Sequence, residues 1–246
     1  MEGIKEMLQN WLKESNYTVV YTGAGMSTES GLPDFRSQDK GLWKQHDPSQ
    51  LASTDALNHQ VEAFFDFYRH RVLSLNECKP HQGYDVLAKW EKEGIVKSII
   101  TQNVDGFHRE SGSKRVAELH GTMKEVHCHD CGKVYSNDVY VDEHFHCECG
   151  GKLRPSVVLF GEMLPESDFQ FALEESKKAD LFIVLGSSLT VSPANQFPII
   201  AKQNGAKLVI VNLEPTEFDI YSDLLIRDKK VGQLLQELDE SLSKSE

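Results

Sequence analysis

The sequence predicts an α/β protein: a parallel sheet with helices on both faces, into which a small cysteine-bearing module is inserted. Three observations predict this. Short apolar runs alternate with helical stretches, the pattern of a parallel sheet. The first such run ends in a glycine turn, Gly23-Ala24-Gly25. Residues 122–154 break the alternation and hold four of the five cysteines.

Taken in order, Glu2 to Glu14 reads as an amphipathic helix with Ile4, Met7, Leu8, Trp11 and Leu12 on one face. Tyr17 to Thr22 is β-branched and aromatic and stops at a glycine, which predicts a strand entering a tight turn. Residues 31–50 contain Gly31, Pro33, Gly41 and Pro48 and predict a long loop. One aromatic-rich helix is expected over Thr54 to Leu75 and another over Gln82 to Lys92. Ile95 to Thr101, Leu181 to Leu185 and Ala206 to Val211 are further strands. The polar tail after Asp239 is expected to fray. In domain terms, 1–121 with 155–246 forms a discontinuous large domain, 122–154 is the inserted module, and 40–80 joins it as a helical part.

Lys and Arg number 26 against 38 Asp and Glu, a formal charge of −12. Such a surface repels phosphate backbones, so nucleic acid is not expected as a direct partner. Met1 to Lys13 lacks the uninterrupted apolar run of a signal peptide, and no stretch has the length of a membrane span. A cytosolic protein is expected, and its cysteines then point to metal or reactivity rather than disulfides.

Cys128 and Cys131 form a CxxC, and Cys147 and Cys149 form a CxC after an intervening loop. Two close pairs can place four thiolates tetrahedrally around one Zn²⁺. So small a module buries too little apolar surface to fold alone, so the metal would supply folding free energy. With four protein ligands the zinc is structural. The tight CxC leaves an alternative in which His127, His129, His144 or His146 replaces a cysteine. Cys78 stands apart and reads as an ordinary thiol.

In Gly23-Ala24-Gly25, the first glycine permits the turn and the second lets a phosphate approach the backbone. The third glycine of GxGxxG is replaced by Thr28, and no acidic strand end follows about twenty residues on. The turn therefore suits a dinucleotide but not the arrangement of a hydride-transferring dehydrogenase.

Longer motifs are more specific. Gly23 to Arg36 reads GAGMSTESGLPDFR and resembles the sirtuin signature GAGxSxxSGIPDFR. Thr101 to His108 resembles TQN(I/V)DxLH, and His120-Gly121 matches that family's HG. Val158-Leu159-Phe160-Gly161-Glu162 resembles its FGE strand, Gly186-Ser187-Ser188 its GTS/GSS turn, and Val211-Asn212 its last nucleotide motif. The cysteine pairs fall between HG and FGE, where the family has its zinc module. The match runs in order from about residue 17 to 215.

The resemblance implies a Rossmann-like large domain, a zinc-binding small domain, and a cleft between them that takes NAD⁺ and an acyl-lysine peptide. It implies NAD-dependent removal of acyl groups from protein lysines, with nicotinamide and O-acyl-ADP-ribose released. His120 would be the base, since an imidazole suits proton transfer near neutral pH. Asn103 and Asp105 would orient the ribose and the carboxamide. Phe35 would shield the reacting carbon from water. The cofactor set implied is Gly23, Ala24, Gly25, Thr28, Phe35, Arg36, Gln102, Asn103, Val104, Asp105, His120, Gly186, Ser187, Ser188, Asn212 and Leu213, with Lys230 contacting adenine through its backbone. Val157, Val158, Phe160, Gly161 and Glu162, an extended apolar run, would pair with the peptide main chain as an added strand.

Tyr68 and Arg71 share a helix face, and Ala52 lies earlier in the chain. The trio resembles the pocket of sirtuins that remove succinyl, malonyl or glutaryl groups, where Arg can bind a carboxylate bidentately. The bland alternative makes Tyr68 a core aromatic and Arg71 a surface charge. Rival functions are a classical NAD dehydrogenase, a non-enzymatic zinc-ribbon module, and mono-ADP-ribosylation of protein within the family.

Overall fold

The computed structural model describes residues 2–34 and 48–244. In chain order its helices are α1 Glu2–Glu14, α2 Pro48–Leu51, α3 Thr54–His59, α4 Val61–Asn76, α5 Gln82–Glu93, α6 Phe107–Glu110, α7 Asp138–Val141, α8 Glu166–Lys178, α9 Phe197–Gln203 and α10 Val231–Ser243. The strands are β1 Thr18–Thr22, β2 Val96–Thr101, β3 Val116–Glu118, β4 Gly121–Cys128, β5 Val134–Ser136, β6 Leu153–Val157, β7 Leu181–Leu185, β8 Lys207–Val211 and β9 Leu224–Ile226.

Six strands form one parallel sheet in the order β3-β2-β1-β7-β8-β9. Its strands alternate between two cores, because successive side chains point to opposite faces. Val20, Ile99, Ile183 and Val209 pack beneath α1, α5 and α10; Val19, Tyr21, Val184 and Ile210 pack beneath α8 and α9. Both faces are therefore covered, which is why the strands read as continuous apolar runs.

The cysteine-bearing segment forms a separate antiparallel sheet, β5-β4-β6. It begins at Gly121 and ends at Val157, slightly wider than 122–154. Helix α4 lies against it: Phe65 stacks on Phe145 at 4.7 Å, and Asn76 accepts from Asn137. Lys152, just before β6, donates to the Leu57 carbonyl at 2.9 Å and ties α3 to this module.

Two expectations differ from the structure. The single helix over Thr54 to Leu75 is two helices, broken at Gln60 with φ −133° and ψ 49°. Ser53 caps α3 by accepting from Ala56 N–H at 3.1 Å, but nothing like Gly or Pro marks the break. The tail does not fray at Asp239, since α10 continues to Ser243. Leu242 packs on the core and Gln9 donates to the Ser241 carbonyl, which anchors the last turn. Among the described residues no helix is long and apolar enough to cross a membrane.

Candidate active site

The four thiolates converge. Cys128, Cys131, Cys147 and Cys149 place their sulfurs within 4.8 Å of one another, with Cys128–Cys149 at 3.5 Å and Cys131–Cys147 at 3.7 Å. A tetrahedron with Zn–S arms of about 2.3 Å has edges of about 3.8 Å, so the set fits one zinc ion. No histidine belongs to this converging group among the described residues; His127 Nδ1 meets Ser156 Oγ at 2.9 Å, and the His146 ring packs edge-on against Phe65. Cys78 is half-buried and apart, and burial pushes its thiol up.

The main cavity lies where a parallel sheet is expected to offer one. β1 leads across to β2 on one side, while β7 leads to β8 on the other, so a crevice opens between β1 and β7 at their carboxyl ends. The segments that follow β1, β2, β7 and β8 all reach it. Gly23 and Gly25 are required there for close packing: a Cβ on either would lie 2.7–2.8 Å from Ser187 or Gly186. Their N–H groups donate to the Leu185 and Gly186 carbonyls, so the two turns are laced back to back. The resulting cavity is about 1060 Å³. Gly23, Ala24, Gly25, Thr28, Gln102, Asn103, Val104, His120, Gly186, Ser187, Ser188, Asn212, Leu213 and Lys230 line it.

His120 ends the loop after β3. Gly121 behind it has φ 72°, and a Cβ there would lie 2.1 Å from the Ser156 carbonyl, so glycine alone lets the HG turn close onto β6. His120 Nδ1 lies 3.1 Å from the Gln102 carbonyl, which can only accept. Nδ1 therefore carries the proton, and Nε2 is the basic nitrogen. The Val158 N–H donates to the His120 carbonyl at 2.9 Å, fixing the histidine to the FGE segment.

A second cavity of about 570 Å³ shares Ala24, Asn103, Val104 and Arg71 with the first and adds Ser27 and Asp105. Asp105 accepts from Phe107 N–H at 2.9 Å and Ser27 at 2.7 Å. Burial raises its carboxyl above the ordinary carboxylate range, and those two donors partly offset the rise. Phe35 and Arg36 lie outside the described residues.

At the other end, Val157, Val158, Phe160, Gly161, Glu162, Tyr68, Arg71 and Ala52 line the main cavity. The FGE run is not extended throughout, as the sequence had suggested. Phe160 N–H donates to Ala52, Glu162 N–H turns back to Leu159, and Leu159 N–H is taken by the Glu162 carboxylate. Gly161 has φ 98°, which bends the run. Burial works against the Glu162 carboxylate, but the Arg154 ion pair at 2.5 Å holds it below its usual range. The Arg71 guanidinium sits 5.6 Å from the Tyr68 ring centre, and burial raises the Tyr68 phenol and lowers the Arg71 guanidinium.

Residues 23–193 match the family model described as "Sir2 family". The chain belongs to the Sir2 family. It is 65% identical over 232 residues to an "NAD-dependent protein deacetylase" of Oceanobacillus iheyensis, covering 94% of this chain and 98% of that one. It is 58% identical to "NAD-dependent protein deacetylase 1" of Geobacillus kaustophilus, covering 96% and 98%. A solved structure described as "Sir2-p53 peptide-NAD+" superposes with TM-score 0.88 at 37% identity, covering 98% of this chain and 99% of that one. Another, described under "Structural Basis for the Mechanism and Regulation of Sir2 Enzymes", reaches TM-score 0.91 at 40% identity and full coverage of both.

Against this Sir2 frame, several cavity-lining residues had no sequence signal. Phe169 and Gln170 come from α8, Val191 to Pro193 from the loop after β7, and Glu214 from beyond β8. They reach the cleft only by tertiary packing. Ser27 lies inside the first signature and could have been found there; its partner Tyr84 could not.

Proposed function

We propose that the protein is an NAD-dependent protein-lysine deacetylase acting in the cytoplasm on acetylated proteins or peptides, with one structural Zn²⁺ held by the four cysteines. The observation that carries this reading is a single continuous cavity: the glycine turns line one end, the FGE segment lines the other, and His120 lines the wall. When bound, NAD⁺ supplies an electrophilic ribose carbon whose nicotinamide can be displaced by the acyl oxygen. Ala24 and Thr28 would hold the phosphates, which the two close-packed glycines let approach the backbone. Ser187, Ser188, Asn212, Leu213 and the Lys230 backbone would hold the adenosine half. Asn103 and Asp105 would set the ribose and carboxamide in a reactive orientation. His120 Nε2 would take a proton from a ribose hydroxyl. The zinc does no chemistry; with four cysteines as ligands it has no open position. In this reading 1–121 with 155–246 is the nucleotide-binding domain, and 122–154 with the helices of 40–80 forms the small domain.

A dehydrogenase reading is weaker, because Thr28 stands where the third glycine would be and no acidic strand end follows the turn. Protein mono-ADP-ribosylation remains a side reaction open to the same site. Incubation with NAD⁺ and a panel of acyl-lysine peptides, read by mass spectrometry, tests the reading. Nicotinamide and deacetylated peptide are expected together; NADH, or a peptide carrying ADP-ribose in place of loss of acetyl, would replace it.

A second acyl class has its own observation: Ala52, Tyr68 and Arg71 all line the main cavity near the FGE segment. The proposal extends to acyl groups ending in a carboxylate, such as succinyl and malonyl. Arg71→Met is expected to lose desuccinylation by about ten- to a hundredfold, the worth of a charged hydrogen bond, while acetyl removal persists. Equal loss of both activities would make Tyr68 and Arg71 structural residues.

A further inference from the structure

Asn103 and Asp105 meet at one hydroxyl. Asn103 Nδ2 donates to the Gly23 carbonyl at 2.9 Å and to Ser27 Oγ at 3.1 Å. The carbonyl can only accept, so the orientation of the Asn103 amide is settled. Ser27 Oγ donates its one proton to Asp105 Oδ2 at 2.7 Å. A third group, the Tyr84 hydroxyl, lies 2.8 Å from the same Ser27 Oγ. A serine hydroxyl has one proton and two lone pairs. Its proton goes to the carboxylate and one lone pair takes Asn103, so Tyr84 must donate into the other. Burial and the Asp105 charge raise the Tyr84 phenol well above its ordinary value, so it holds the proton it donates. All four side chains are buried.

The phenol has no freedom to turn away. Its ring is fully buried and packs against the rings of His81 at 5.0 Å, Phe107 at 5.6 Å and His108 at 4.7 Å. His81 is itself fixed, Nε2 donating to the Met26 carbonyl at 2.7 Å and Nδ1 accepting from Gly83 at 3.0 Å. Tyr84 belongs to α5, outside every motif that reaches the cavity, and lines neither cavity.

We propose that Tyr84 is a positioning residue for the reaction, acting through Ser27 to hold the Asp105 carboxylate and the Asn103 amide in one fixed relative orientation. The proposal rests on the reading of Asn103 and Asp105 as the residues that orient NAD⁺. Donation into Ser27 polarises its bond to Asp105, because hydrogen bonds in series strengthen one another in a low-dielectric interior. Without the phenol, Ser27 keeps two partners, and its hydroxyl can rotate among rotamers that no longer serve both side chains.

Steady-state nicotinamide release by the full-length protein tests this. Tyr84→Phe removes one oxygen atom and keeps the ring packing. It is expected to lose about tenfold in kcat/KM for NAD⁺, the scale of one buried hydrogen bond, with the KM for acetyl-lysine peptide unchanged. The Tyr84→Phe/Ser27→Ala double variant is expected to be no worse than Ser27→Ala alone, because both changes cut one relay. Wild-type kinetics in Tyr84→Phe, or losses that simply add in the double variant, would overturn the proposal; additive losses are what a packing role alone gives. Should Tyr84→Phe not fold, Ser27→Ala carries the test: a loss confined to NAD⁺ kinetics supports the relay, and wild-type turnover refutes it. Asp105→Asn separates the two levels. Undiminished nicotinamide release there would refute the role of Asp105 itself, whereas a deficient Asp105→Asn beside a normal Tyr84→Phe refutes only the part played by Tyr84.

Discussion

His120→Ala is expected to lose about two to four orders of magnitude in deacetylation turnover, the usual worth of a positioned general base, while NAD⁺ binding is largely retained. The structure explains the expected split. His120 reaches the cavity from the loop after β3, whereas the segments proposed to hold the phosphates and the adenosine half follow β1, β7, β8 and β9. Its Nδ1 is spent on the Gln102 carbonyl, which leaves Nε2 as the proton acceptor. Calorimetry of NAD⁺ binding beside single-turnover kinetics checks both halves. Wild-type-like deacetylation by a folded His120→Ala protein would remove His120 from the chemistry.

Loss of the zinc is expected to abolish activity by unfolding one wall of the cleft. Strand β4 begins at Gly121, directly after His120, and ends at Cys128, so one strand links the base to the staple. The buried side chains of the β5-β4-β6 module, Met123, Val126, Tyr140 and Leu153 among them, belong to a core shared with the rest of the chain rather than to one of its own, so metal binding would supply folding free energy to the module. Cys131→Ala is expected to contain no zinc, to lose hydrogen-exchange protection across β4 and β6, and to lose nearly all turnover, while β1, β7 and β8 stay protected. Metal analysis and amide exchange on the purified protein check this. Full zinc content in Cys131→Ala would break the four-cysteine assignment, and an intact β4 without metal would break the account of its folding.

Much of the site was legible because its parts are local. The glycine turns, Gln102 to Asp105, His120-Gly121 and the cysteine pairs are each contiguous or nearly so, and each has a backbone or ligand geometry that restricts residue type. Only glycine at 121 can approach β6 so closely, and only four sulfurs with suitable backbone turns can converge as Cys128, Cys131, Cys147 and Cys149 do. The sheet was equally plain in β1, β2, β7 and β8, whose runs are buried on both faces. The edge strands β3 and β9 escaped notice because each has three residues, too few to show a period. The α3–α4 break escaped because Gln60 has no turn signature. The bend in the FGE run escaped because its backbone partners, Ala52 and the Glu162 carboxylate, are set by tertiary packing. Tyr84 escaped for the same reason: on α5 it reads as one more apolar-face aromatic, and its hydroxyl acquires a partner only when α5 packs against the first signature.

The central claim is that acyl removal consumes NAD⁺ and transfers the acyl group to ADP-ribose. The most direct measurement is the stoichiometry of products from one acetyl-lysine peptide and NAD⁺, by mass spectrometry. The account predicts equal amounts of nicotinamide, free-lysine peptide and O-acetyl-ADP-ribose. Deacetylated peptide accompanied by free acetate and intact NAD⁺, or NAD⁺ converted to NADH, would contradict it.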